Sequence, residues 1–178
     1  LAAETKVILV HFRRETHSFS LSEVPAVIGL FFVTPNEYLL AVLVGSGVAL
    51  LVTARQSIVK VAFNLANFAL IGVVTLAVFY RIATPGGTPD PVDWLAAFGA
   101  MIVPVVIGAL TIATAISLSG GAPQFQKLPE MIKFGLVVAL ANTSLALLAV
   151  SVMWVNLSAV LLLLIPLVPK LMQRIDAR

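Results

Sequence analysis

The stretch WLAAFGAMIVPVVIGALTIATAISL, residues 94–118, has 25 residues and no charged side chain. An α-helix rises 1.5 Å per residue, so about 20 residues cross the hydrocarbon core of a bilayer, which is about 30 Å thick. Strands of a membrane β-barrel are shorter, about 10 residues, and alternate in polarity. The stretch therefore predicts a membrane-spanning helix.

The composition extends this interpretation to the whole chain. Of its 178 residues, 60% are hydrophobic and 11% are charged, and the mean hydropathy is +1.08. Soluble domains have about 25% charged residues, so we expect an integral membrane protein with the lipid bilayer as its partner. The absence of cysteine excludes disulfides and thiol chemistry. The net charge of +3 is small, and no nucleic-acid partner is expected.

Loops rich in Pro, Gly and Asp divide the chain into apolar segments. The six segments are 20–33, 37–54, 57–80, 92–118, 130–153 and 157–173. We therefore predict an all-α fold, a polytopic transmembrane bundle of about six helices over residues 20–173. The first segment is short and could span, re-enter or lie tilted. Residues 1–19 are predicted to be a cytoplasmic or interfacial segment, with 6–12 either a short strand or the exit of an earlier helix. Residues 174–178 would begin a cytoplasmic linker.

The positions of the basic residues predict the orientation of the bundle. They lie before segment one, between segments two and three, between four and five, and after six. These residues are Arg13, Arg14, Arg55, Lys60, Lys127, Lys133, Lys170, Arg174 and Arg178. Arg81 is the exception. Because basic residues favour cytoplasmic loops, both termini are predicted to be cytoplasmic in a multi-pass membrane protein.

Polar side chains recur within the apolar segments at helical spacing. An asparagine is costly in hydrocarbon unless it is paired, so these side chains should face the bundle interior. The candidate ligand-binding residues are Asn64, Asn67, Thr111, Thr114, Asn142 and Ser144. One interpretation is a polar patch in a central cavity that contacts a small ligand. The other is hydrogen bonding between helices, typically worth less than about 2 kcal/mol for each bond.

Charged residues cluster at the start of segment one. In SLSEVP, residues 20–25, a serine and Glu23 favour a helix N-terminus, and Pro25 is tolerated in a first turn. The alternative makes Glu23 an intramembrane carboxylate that pairs with Arg13, Arg14 or a ligand cation. The two arginines are either lipid-phosphate anchors or, with Glu23, residues that couple the membrane to the cytoplasm.

Motifs for catalysis and for metal binding are missing from the sequence. His11 and His17 have no third ligand near them, and no serine triad, phosphate loop or zinc motif is visible. We therefore expect no metal site, no cofactor and no catalytic residues in this chain.

Two phrases carry a resemblance to a known family. HFRRETHSFSLSEVPAVIGLFF (11–32) and ARQSIVKVAFNLANFAL (54–70) resemble the amino-terminal membrane region of actinobacterial diguanylate cyclase/phosphodiesterase signalling proteins. Such regions have been grouped as sensor domains similar to the membrane subunits of vitamin-uptake transporters. The resemblance implies a multi-helix input domain in the bacterial plasma (inner) membrane, followed by a cytoplasmic output domain in cis. Cyclic-dinucleotide turnover would take place in that domain and not in this chain.

Three functions remain open at this stage. The first is a sensory or regulatory input domain that binds a small ligand or senses a membrane property and signals to the cytoplasm. The alternative is a vitamin-like small-molecule uptake subunit. The third is an anchor that dimerises an attached enzyme, for which paired small residues such as Gly45 and Ala49 would permit a homodimer.

Overall fold

The computed structural model describes residues 8–12, 15–19, 23–53, 57–84, 87–118, 125–159 and 161. A short β-hairpin comes first, followed by five α-helices. The helices are α1 (Glu23–Phe32), α2 (Pro35–Val48), α3 (Ile58–Ile82), α4 (Pro91–Leu118) and α5 (Leu128–Val155). A π-helical turn, Ala49–Thr53, continues α2, and 3-10 turns at Phe125–Lys127 and Leu157–Ala159 flank α5.

The helical class predicted from the sequence is confirmed. Each of the first five predicted segments contains one helix, and the bounds differ by a few residues at most. Four helices are long and apolar enough to cross a bilayer by length and composition: Pro35–Val52, Ile58–Ile82, Pro91–Leu118 and Phe125–Val155. Most of the predicted sixth segment lies outside the described residues. The number of six spans therefore stays a prediction.

Two capping motifs explain where α2 and α4 begin. Thr34 and Glu37 form a capping box, in which the Thr34 N–H donates to Glu37 Oε2 at 2.8 Å and the Glu37 N–H donates to Thr34 Oγ1 at 3.4 Å. Asp90 caps α4 by accepting the N–H groups of Val92 and Asp93 at 2.8 and 3.0 Å. Both motifs satisfy amide groups that a helix N-terminus leaves unpaired.

Helices α2 to α5 pack as successive antiparallel neighbours. Gly47 lies against Leu65, whereas Gly72 lies against Leu39, so α2 and α3 run in opposite directions. Gly99 meets Val78 and Ile82, whereas Thr111 meets Asn67, which gives the same result for α3 and α4. Gly135 on α5 contacts Val105 on α4, and residues 139 and 140 meet residues 101 and 102.

This arrangement gives the bundle two ends. We call the end where α3 and α5 begin the lysine end, because Lys60, Lys127 and Lys133 lie there and are exposed. The opposite end, where α3 and α5 finish, is called the aromatic end. There Phe31 packs edge-to-face on Phe79 with ring centroids 5.2 Å apart, and Phe32 lies 5.5 Å from Trp154.

Small residues fill the centre of the bundle. Ala96, Ala97 and Ala100 on α4 and Ala146 on α5 are fully buried, and they belong to one core with the buried Val27 of α1. Small side chains let helix backbones approach closely and so strengthen the van der Waals packing between helices. This packing matters because lipid is as apolar as the bundle core, and the hydrophobic effect therefore does not drive the helices together. Large apolar side chains such as Leu40, Leu95 and Leu148 are exposed on the outside, as expected for helices that face lipid.

The N-terminal segment departs from an all-α fold. Strand β1 (Ile8–Phe12) pairs antiparallel with strand β2 (Glu15–Phe19), so that Ile8 lies opposite Phe19 and Phe12 opposite Glu15. The β-branched residues of the first strand favour this conformation. A short strand was one of two interpretations of residues 6–12, and the structure has a strand over the described part of this range, Ile8–Phe12.

Candidate functional site

A hydrogen bond joins the first helix to the middle of the last long one. Asn142 Nδ2 on α5 donates to Glu23 Oε2 on α1 at 2.7 Å, across 119 positions of sequence. Asn142 is buried, and Glu23 is partly buried. A hydrogen bond to a carboxylate is shorter and stronger than a bond between neutral groups. We call this pair the Glu23–Asn142 contact.

The contact lies halfway along the bundle. Asn142 comes 14 residues after Leu128 and 13 residues before Val155, which places it about 20 Å from either end of α5. From there α1 follows the second half of α5, because the ring of Phe32 at its C-terminus meets Trp154. Helix α1 therefore begins at mid-height and ends at the aromatic end. It is a short helix of 10 residues.

The N-terminus of α1 lies within the height of the bundle and not at one of its ends. The SLSEVP phrase was interpreted as a helix N-terminus, and α1 does begin at Glu23, which contacts α5 at mid-height. The reason is the length of α1, whose rise of about 15 Å covers about a third of the length of α5. Arg13 and Arg14, the other predicted coupling residues, lie outside the described residues. The observed partner of Glu23 is the amide of Asn142.

The first turn of α1 suits a carboxylate at this height. Glu23 is the acidic residue of that turn, where unpaired N–H groups create a partial positive charge. Pro25 lies in the same turn, where the missing N–H removes no helical hydrogen bond. Val27 and Leu30 are buried and share a core with Ala146 and Leu147 of α5. This packing keeps the carboxylate close to Asn142.

A second polar pair joins α3 to α4. Thr111 Oγ1 donates to Asn67 Oδ1 at 3.0 Å. Asn67 comes 9 residues after Ile58, so this pair is nearer the lysine end than the Glu23–Asn142 contact is. Asn64, one turn earlier on α3, is partly buried. The pair matches the interpretation of these polar residues as hydrogen bonds between helices.

The remaining two candidate ligand-binding residues face outward. Thr114 Oγ1 donates to the Leu110 carbonyl oxygen at 2.8 Å, and Ser144 Oγ donates to that of Leu140 at 2.9 Å. Both side chains are exposed, and both bonds stay within their own helix. The structure therefore distributes the six candidates over two interhelical pairs, one flanking asparagine and two outer positions.

The cavities lie elsewhere. A void of about 10 Å³ between α4 and α5 is lined by apolar side chains and Thr143. A larger cavity of about 80 Å³ lies at the aromatic end, between α1, α3, the start of α4 and Trp154. None of the six candidate ligand-binding residues lines either of these cavities.

Two buried threonines and one aspartate were missed from the sequence. Within the part of the chain that the structure describes, the Oγ1 atoms of Thr75 and Thr143 are buried and have no hydrogen-bond partner. Asp93 was not among the candidate site residues, but it lies in the first turn of α4, is buried, and lines the larger cavity. The spacing D-x-x-D at 90–93 is the signal that indicates this cap.

Comparison of the chain with protein-family models, with curated proteins and with solved structures finds no match. The resemblance to sensor domains of signalling proteins therefore stays a prediction.

Proposed function

We propose that this chain is the membrane-embedded input domain of a signalling protein, which binds a small ligand or senses a membrane property and acts on a cytoplasmic output domain. The observation that carries the proposal is the Glu23–Asn142 contact at mid-height of the bundle. A polar pair inside a membrane bundle is costly to separate and specifies one packing of its helices. Signalling requires two packings with different affinities for the stimulus.

The position of the contact between two helices supports this proposal. It connects α1, which follows the N-terminal hairpin, to α5, which precedes the C-terminal segment. A displacement of α1 that breaks the hydrogen bond would leave Glu23 to find another donor and would free α5 to move. The proposed route of the signal is therefore from α1 through Asn142 to α5 and on to the predicted sixth helix.

We expect the lysine end to face the cytoplasm of a bacterial inner membrane, with six spans and both termini inside. The absence of cysteine allows a clean test with single cysteines at two exposed positions. Thr88→Cys, at the aromatic end, should react with a membrane-impermeant maleimide in intact cells. Gln126→Cys, at the lysine end, should react only after permeabilisation. The parent chain is the unlabelled control, and labelling of Gln126→Cys in intact cells would contradict the orientation.

Replacing Asn142 by leucine should change the signalling output of the natural gene product. Because the donor to Glu23 is lost, the balance between two packings should shift, and cyclic-dinucleotide turnover in membrane vesicles should change by about fivefold or more. Ser144→Ala is the matched control, because Ser144 lies two residues away and bonds only within its helix. Equal output from the two variants would contradict the proposed route.

The composition of the natural gene product and of its complexes distinguishes the signalling proposal from the uptake alternative. A sensor requires a cytoplasmic output domain on the same polypeptide, whereas an uptake subunit requires a partner ATPase. If the natural gene product carries no output domain and co-purifies with an ATPase, the signalling proposal is wrong and the uptake function takes its place.

A further inference from the structure

The cavity of about 80 Å³ at the aromatic end has walls of unusual composition. The rings of Phe31, Phe79, Tyr80 and Trp154 line it, together with the carboxylate-bearing Asp93. Phe79 and Tyr80 pack edge-to-face with centroids 5.3 Å apart, and edge-to-face pairing orients neighbouring rings in different directions. None of the residues that line the cavity is basic.

Asp93 brings a buried negative charge to this wall. Its side chain is only 6% exposed. Its Oδ1 accepts the N–H of Thr84 at 2.9 Å, and its Oδ2 accepts the N–H of Asp90 at 3.1 Å. These bonds fix the carboxylate in place, and among the described residues they occupy two of its roughly four acceptor positions. A buried carboxylate with free acceptor positions attracts a cationic hydrogen-bond donor.

We propose that this cavity is a binding site for a small alkylammonium group. Aromatic ring faces carry a negative quadrupole that attracts ammonium ions, and aromatic walls are the common protein solution for methylated ammonium. Asp93 supplies the formal countercharge and accepts an N–H from the ligand. The carboxylate and the rings together distinguish an ammonium ion from a neutral molecule of the same shape.

The volume of the cavity limits the size of the ligand. A water molecule occupies about 30 Å³ of liquid, and a cavity of about 150 Å³ accepts benzene. A cavity of about 80 Å³ lies between these two. An ammonium group with a few methyl substituents, such as trimethylammonium, matches this size, whereas a nucleotide or a vitamin does not.

Two sources supply an alkylammonium group. One is a free amine in solution, and the other is the head group of an aminophospholipid in the leaflet at the aromatic end. The site does not depend on the proposed signalling function, since binding is measured directly. If the cavity binds no ammonium ion, the proposed signalling role of the Glu23–Asn142 contact is unaffected. If the substitutions at Asn142 show no effect on signalling, the proposed binding site is likewise unaffected.

Trp154 provides a fluorescent reporter in the cavity wall. The chain has only two tryptophans, and the other, Trp94, is exposed and does not line the cavity. In the full chain with Trp94→Phe, reconstituted in phosphatidylglycerol nanodiscs, trimethylammonium chloride should change the fluorescence saturably. A dissociation constant of about 0.1–10 mM is expected, because four non-hydrogen atoms offer little contact area. Sodium chloride and tert-butanol, the cationic and neutral controls, should give no saturable change.

Substitutions at Asp93 and at Tyr80 test the contributions of the carboxylate and of the aromatic rings separately. Asp93→Asn should weaken trimethylammonium binding by about tenfold or more, because the charge-assisted bond is lost. Since Asp93 also holds the loop before α4, a second variant keeps the loop intact. Tyr80→Leu should weaken binding by about threefold, whereas Tyr80→Phe, which keeps the ring, should change it by less than about twofold.

The outcome also identifies the source of the ligand. If phosphatidylethanolamine in the nanodisc raises the apparent dissociation constant of trimethylammonium, the lipid head group occupies the site. If it has no effect, the site takes a free amine. The proposal is wrong if tert-butanol gives the same saturable response, or if Asp93→Asn and Tyr80→Leu both bind trimethylammonium as the parent does.

Discussion

Replacing Gly135 by valine is expected to lower the free energy of unfolding by about 3 kcal/mol. A Cβ atom at Gly135 would lie 2.8 Å from Val105 Cγ1 and 3.6 Å from its Cγ2. A valine in a helix is held in one χ1 rotamer, so Val105 has no low-energy way to move aside. Helices α4 and α5 would have to separate. Unfolding in mixed micelles with increasing SDS measures the loss.

Gly108→Val is the matched control, since Gly108 lies on α4 one turn from Val105. A Cβ there meets no atom of the described neighbours within 4 Å. The exchange of glycine for a better helix former should then leave the unfolding free energy within about 0.5 kcal/mol of the parent, or raise it. If both glycine variants lose the same stability, helix propensity or lipid contact is the cause, and the proposed close approach of α4 and α5 is contradicted.

Removing either partner of the Glu23–Asn142 contact should cost about 1.5–3 kcal/mol of unfolding free energy. Asn142→Leu removes the amide that donates to the partly buried carboxylate at 2.7 Å, and Glu23→Leu removes the carboxylate that accepts from Asn142 Nδ2. The double substitution should recover most of the loss, because two apolar groups can replace a polar pair at little cost.

A double-mutant cycle measures this coupling. The sum of the two single losses should exceed the loss of the double variant by about 1 kcal/mol or more. Ser144→Ala, on the outer face of α5, should stay within about 0.5 kcal/mol of the parent. Additive losses would show that Glu23 and Asn142 contribute independently, and the role of the contact in holding α1 on α5 would be wrong.

The predicted segments were close to the observed helices because long apolar runs leave the chain few alternatives. Segments 57–80, 92–118 and 130–153 correspond to Ile58–Ile82, Pro91–Leu118 and Leu128–Val155. A backbone in hydrocarbon must satisfy its own hydrogen bonds, and a helix does so within one segment. The start of α2 was missed by two residues, although T-x-x-E at 34–37 is a capping-box pattern.

The glycines at which helices of this chain approach closely were not identified from the sequence. Gly45 was expected to permit a homodimer, and that stays a prediction; within the chain, a Cβ at Gly45 meets no described atom within 4 Å. Among the described glycines, the tightest positions are Gly72 and Gly135, where a Cβ would lie 2.8 Å from a neighbouring side chain. Spacing along one helix cannot identify such positions, because the contact depends on the rotation of two helices about their axes.

The sequence by itself determined the helical membrane class, the approximate helix bounds and the polar side chains that need partners in an apolar interior. These follow from local properties, namely hydropathy, helix rise and capping. Only the tertiary structure decided which partners those side chains have. Asn67 pairs with Thr111, whereas Asn142 pairs with Glu23 at mid-height. Such contacts join residues far apart in sequence, so they depend on which helices are neighbours and on how far α1 extends along α5.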